Sequence, residues 1–108
     1  MKYAILVVLL FLVACAQEMP QNEVDQRIEI LYEHTRIMLQ VTSPEDAKAI
    51  GLDVSLWRET SNREEQLAVV ERMMGLSSTG SQSKRIVRAE EKMGVLMEAW
   101  RDTPSAKS

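Results

Sequence analysis

The chain has 108 residues, 13 Lys and Arg against 16 Asp and Glu, and a formal net charge of −3. That acidic balance argues against a nucleic-acid partner, because phosphate binding draws on a basic face. One cysteine and one histidine supply no Cys–His pair set close in sequence and no multi-histidine metal set.

Residues 1–3 read Met-Lys-Tyr, and residues 4–14 form an unbroken apolar run. A short basic start, an apolar stretch of this size and small residues at its end have the form of a secretory signal peptide. The run falls well short of the roughly 20 apolar residues that cross a bilayer, and Gln17 and Glu18 close it. Leu12-Val13-Ala14-Cys15 resembles the lipobox of bacterial lipoproteins. The resemblance covers residues 1–15. It implies cleavage between Ala14 and Cys15, a diacylglycerol on the Cys15 sulfur, and a further acyl chain (palmitate or similar) on the new α-amine. It also implies a place in the bacterial envelope. Ala16, where an Asp would signal retention in the inner membrane, implies the outer membrane and a domain facing the periplasm. A lone cysteine in an oxidising compartment is a liability unless capped or paired, and lipidation caps it. One acyl chain binds reversibly, whereas two or three on one residue hold stably. Cleavage removes Lys2 and leaves a net charge of −4 against −3 for the whole chain. The ninety-odd remaining residues suffice for one small core and offer no polybasic patch to anionic lipid.

Four segments follow in chain order: a signal peptide over residues 1–14, a lipidated cysteine and tether over 15–22, a helical domain over 23–102, and a tail over 103–108 expected to be disordered. The tether contains Pro20, and about seven extended residues reach roughly 25 Å, so the domain is expected close to the membrane surface. From Asn22 onward Val24, Ile28, Leu31, Thr35, Met38 and Thr42 fall on one helical face. Tyr32 and Leu39 widen it, and Ile30, Ile37 and Val41 form a second apolar stripe on another side. Ser43-Pro44-Glu45-Asp46 is a start signal, with a serine cap, a first-turn proline and acids that suit the dipole. Asp46 stands where a capping box carries its acid. Gly51 and Leu52 end this short helix. Asp53 is expected to cap a brief helix over residues 54–60 that presents Leu56 and Trp57. Ser61 and Glu64 read as the capping box of the next, with Leu67, Val70, Met73 and Met74 on its apolar face and Gly75-Leu76 as its end. Residues 77–82 have loop composition. The last helix is expected over 83–101, with Ile86, Ala89, Met93, Leu96, Met97 and Trp100 in one sector. Gly94 lies beside that sector, where it permits a close helix approach at a cost of about 1 kcal/mol relative to alanine. No segment alternates with period two. An all-α fold follows, a small three- or four-helix bundle with antiparallel neighbours across the short connections.

Little in the sequence carries chemistry. His34 lies at the edge of the Ile30, Ile37, Val41 stripe and reads as a boundary histidine or a pH-sensitive contact. Glu64-Glu65 and Glu90-Glu91 are adjacent pairs whose side chains diverge by about 100° on a helix, which suits a solvated face better than acid–base or metal chemistry. No phosphate loop or internal repeat occurs. No enzyme activity, cofactor or metal is expected. Methionines fill uneven cores and also line adaptable grooves, and both readings stay open for the methionines on the helical faces.

These features point to a non-enzymatic lipoprotein that binds a protein partner. The combination of lipobox, short tether and small helical domain resembles pilotins, lipoproteins that escort secretion channels to the outer membrane. That resemblance implies an accessory factor of a secretion or transport machine. An exclusion or immunity lipoprotein that blocks an incoming machine is the alternative. A structural lipoprotein resembling the major murein lipoprotein fits less well, since Lys107 is penultimate and Pro44, Gly51 and Gly75 break any continuous coiled coil. Ile30, His34, Ile37 and Val41 are the candidate contact residues, on the stripe left over once the longer Val24, Ile28, Leu31, Met38 face packs inside; the alternative is that the third or fourth helix covers this stripe too.

Overall fold

The computed structural model of the chain describes residues 19–107. The signal sequence, Cys15 and the first part of the tether lie outside the described residues. Every regular element among the described residues is helical. Helix α1 spans Gln21–Val41 and buries Val24, Ile28, Leu31, Thr35 and Met38, with Tyr32 beside them. This is the face that the 4-3-4-3 spacing predicts. Helix α2 spans Pro44–Ala49. Ser43 caps it by accepting a hydrogen bond from the Asp46 amide at 3.2 Å. Helix α3 spans Arg63–Met73. The glycines that follow α2 and α3, Gly51 and Gly75, both take positive φ, +87° and +73°. In each case the next amide turns back to the helix, Leu52 N–H to the Ala47 carbonyl and Leu76 N–H to the Glu71 carbonyl, both at 2.8 Å. This is the closed helix end that glycine favours.

Helix α4 spans Gln82–Trp100 with Ser81 as its cap, one residue ahead of the expected start. Ser83 is free for another task, and its hydroxyl accepts the Met19 amide at 3.1 Å. Helix α1 packs against both α3 and α4. Met19 pairs with Ser83, Arg27 with Glu90, and Thr42 with Trp100. The partner numbers rise together, so α1 and α4 run parallel, with α2 and α3 making the crossing between them. Ile28, Leu67, Met73, Ile86 and Leu96 are the largest fully buried apolar side chains where these helices meet. Met38, Met74 and Met93 are buried with them.

Three local expectations give way to tertiary contacts. The helix expected over residues 54–60 is a single 3-10 turn, Val54–Leu56. Residues 57–60 run extended instead, because Tyr32 claims them. Trp57 stacks on the Tyr32 ring with centroids 4.6 Å apart. The Tyr32 hydroxyl donates to the Arg58 carbonyl at 2.9 Å and accepts the Thr60 amide at 3.0 Å. At α3 the cap is Asn62, which accepts the Glu65 amide at 3.0 Å. The Ser61–Glu64 box does not form, and Glu64 turns to Arg85 at 2.7 Å. In the tail expected to be disordered, Pro104–Lys107 forms a helical turn, α5. Ser105 ties it down: its hydroxyl accepts the Ser43 amide at 3.0 Å, and its amide donates to Asp46 at 2.8 Å. Ser105 thus fills the place that the acid side chain of a capping box would take.

Candidate functional site

The second stripe of α1 faces water. Ile30 is 47 % exposed, Ile37 52 % and Val41 50 %. The physical reason lies in where the neighbours of α1 sit. The Val24–Met38 face turns to α3 and α4, and the second stripe lies about 110° further around the helix, where α4 borders only its C-terminal end. His34 is exposed on the same face.

At the C-terminal end of this face α1 and α4 enclose an apolar cavity of about 110 Å³. His34, Ile37, Met38 and Val41 line it from α1, and Met97 and Trp100 from α4. The structure therefore brings three of the four candidate residues together around one cavity. It leaves Ile30 on the same face two turns earlier, outside the cavity. Met97 is 38 % exposed, and Trp100 is half-buried with its indole N–H on the Thr42 hydroxyl at 2.9 Å. Both were expected among the core residues of α4. Their position at the stripe's edge depends on the parallel pairing of α1 and α4, which periodicity within one helix cannot reveal.

A larger, open depression of about 440 Å³ lies where α2 meets the 3-10 turn, between Pro44, Lys48 and residues 51–55. Its only carboxylate, Asp53, already accepts the Ser55 amide at 3.1 Å and the Ser55 hydroxyl at 2.6 Å. It offers no converging set of free polar groups.

The acid pairs divide as their divergence on a helix requires. Glu65 accepts the Thr60 hydroxyl at 2.8 Å and pairs with Arg58 at 3.1 Å, while Glu64 goes to Arg85 and to Gln82. Burial acts to raise the Glu64 carboxyl, but hydrogen bonds from Arg85 and Gln82 outweigh it and hold the group below its ordinary range. Glu90 is bound by Arg27, and Glu91 is exposed. Beneath them lies a feature that periodicity missed, a buried ion pair between Arg85 and Glu71, 6 % and 1 % exposed. Arg85 meets Glu71 through Nη2 at 2.6 Å and through Nε at 3.1 and 3.2 Å. The Ser78 hydroxyl donates to the same carboxylate at 3.0 Å. The hydrogen bond to Glu71 is the chief cause that raises the Arg85 guanidinium above its ordinary value. The available signal was a charge at a core-facing position on each helix, Glu71 beside Val70 and Arg85 beside Ile86.

Among the described residues no group of three or more His, Cys, Asp and Glu is placed to hold a metal ion. No described helix is long and apolar enough to cross a membrane. Set against protein families, curated proteins and solved structures, the chain matches none of them.

Proposed function

We propose that this chain is a lipid-anchored, non-enzymatic helical module of the bacterial envelope that binds a protein partner beside the membrane. Cys15 is the lipidated residue, and Ile30, His34, Ile37 and Val41 form the centre of the contact face. The observation that carries the binding reading is a single one: three aligned aliphatic side chains, each about half exposed, on a helix face that α4 borders only at its C-terminal end. Apolar side chains grouped in this way mark interfaces, whereas isolated ones do not. The cavity beside them supports the same reading, since its walls are apolar and both helices contribute to it. The lipobox supports the anchor, and the resemblance to pilotins supports an accessory role in a secretion or transport machine of the outer membrane.

Two experiments test the two halves. Radiolabelled palmitate enters the wild-type protein, and Cys15→Ser abolishes labelling; an unlabelled wild type that fractionates as a soluble periplasmic protein refutes the anchor. Ile30→Asp with Ile37→Asp leaves the melting temperature within a few degrees and removes the partner from a pull-down of the native envelope complex. Charges stranded in a buried stripe would instead unfold the domain, so an unfolded double variant refutes the placement of the face. A folded variant that keeps its partner refutes the face itself.

A further inference from the structure

We infer that the furrow between α1 and α4 takes an amphipathic helix with basic flanks, seated over Gly94 with one large apolar side chain in the cavity. This rests on the reading of the face as a protein-binding surface and adds the chemistry of its occupant.

The furrow follows from register. On α1 Arg27, Ile30, His34, Ile37 and Val41 are spaced 3-4-3-4, and on α4 Val87, Glu90, Gly94 and Met97, with Arg101 at its C-terminal cap, repeat that spacing. Positions so spaced share one helix face. The ion pair of Arg27 with Glu90 joins the two rows at one end. The cavity, with Ile37 and Val41 on one wall and Met97 on the other, joins them at the other end. Two parallel helices that border a furrow in this way offer the seat of a third, the helix-in-groove mode of recognition. The cavity of about 110 Å³ is far below the roughly 300 Å³ at which small-molecule sites begin. It has room for a single large apolar side chain, with buried Met38 among its walls.

Gly94 is the second observation. It lies in the α4 row midway between Glu90 and Met97, its φ is not positive, and a Cβ built on it would meet nothing within 4 Å. Neither the backbone nor the internal packing of the chain calls for glycine there, although glycine weakens a helix interior. A missing side chain on an open helix face does provide for close approach by another backbone.

Charge on the shoulders selects the occupant. Glu91 and Glu98 lie one helical step outside the α4 row, both exposed, with no ion pair among the described residues. Glu33 lies outside the α1 row and is shared with Arg36 at 3.0 Å. Within the furrow Arg27 is held by Glu90, and Arg101 stands at the Trp100 end. An occupant with Lys or Arg on its flanks is complementary to these shoulders. A second copy carries the same acidic shoulders and not basic flanks, and an anionic lipid surface would add like charge to them.

The test uses the full chain in a maltoside detergent. It is titrated with a synthetic helix of about five turns that has a leucine stripe flanked by lysines. A scrambled peptide of the same composition and a leucine helix with glutamates in place of the lysines serve as controls. Tryptophan emission reports binding, with Trp57→Phe as the background that isolates Trp100. The expected result is a blue shift with the leucine–lysine helix and an affinity at least about tenfold above both controls. Gly94→Leu is expected to raise the melting temperature, since it places a good helix former in open space, and to weaken that binding about tenfold. Glu91→Lys with Glu98→Lys weakens it likewise. The proposal is overturned if the scrambled peptide binds equally, or if Gly94→Leu binds as the wild type does. It is also overturned by sedimentation that shows self-association blocked by Gly94→Leu, which assigns the furrow to a second copy. Quenching of Trp100 by brominated lipid in phosphatidylglycerol vesicles without peptide assigns it to the membrane instead. If Ile30→Asp with Ile37→Asp loses the native partner while the basic helix shows no Gly94-dependent binding, the contact face stands and this occupant is refuted.

Discussion

The buried pair of Arg85 and Glu71 is the most consequential side-chain arrangement in the domain. Each charge is acceptable in the interior because the other is there, with Ser78 and Glu64 taking up remaining hydrogen-bonding capacity. Removing one partner strands the other. Glu71→Ala is therefore expected to cost about 3–5 kcal/mol, a large share of a small domain's stability, in urea denaturation. Glu71→Leu with Arg85→Met replaces the pair by apolar volume and should come out near the wild type or above it. A mild effect of the single change would mean that the pair is hydrated. Asp46 poses a different question at the same scale. The hydrogen bond from the Ser105 hydroxyl, then that from the Ser105 amide, hold its carboxyl below the ordinary aspartate range. A depressed folded-state pKa contributes stability above the unfolded value and loses it as pH falls through the folded one. The α5 turn should accordingly loosen on acidification below the ordinary aspartate range, and Asp46→Asn should loosen it at neutral pH. Amide exchange at Ser105 and Ala106 measures both; protection that does not change with pH would show that other contacts hold the turn.

At the scale of elements, the segment between α2 and α3 shows how one aromatic ring overrides local propensity. Residues 54–60 have a capping aspartate and no helix breaker, yet only Val54–Leu56 turns. The Tyr32 hydroxyl takes one backbone donor and one backbone acceptor from residues that a continued helix would need for itself. Tyr32→Phe keeps the stack on Trp57 and removes both bonds. The expected loss is about 1–2 kcal/mol, with faster amide exchange at Thr60. Unchanged exchange there would assign the extended path to the Trp57 stack alone. The long helices were readable for the opposite reason. Their buried faces repeat over three or more turns, so a single misjudged position does not move them, while one-residue shifts at helix ends, Asn62 for Ser61 as the cap of α3 and Gln82 for Ser83 as the first residue of α4, turn on which side chain finds another partner.

For the whole molecule, the decisive arrangement is the parallel pairing of α1 and α4, which places Trp100 at a cavity edge rather than in the core. A fully buried tryptophan cut to alanine costs 3–5 kcal/mol; half-buried Trp100 should lose about 2 kcal/mol, as read from thermal or urea melts. A loss at the fully buried level would mean that the cavity is closed in solution. The same pairing leaves Ile30, Ile37 and Val41 uncovered. Among the described residues the two long helices beside α1 are α3 and α4, and both turn to its Val24–Met38 face.

The sequence by itself determined that the described domain is helical, where its long helices run, which face of each is buried, and that Gly51 and Gly75 end α2 and α3. These depend on spacing, glycine conformation and capping within a few residues, and such forces act through the chain itself. It also supplied both stripes of α1 and placed the longer, Val24–Met38, inside, while leaving open whether the second would be covered too. Only the tertiary structure decided that α4 lies parallel to α1, that Glu71 and Arg85 meet inside, that Tyr32 holds residues 57–60 extended, and that Ser105 returns to Asp46. Each joins groups at least 14 positions apart. No periodicity connects such groups, because the cost of closing the loop between them is repaid by burial and hydrogen bonding only once the helices have packed.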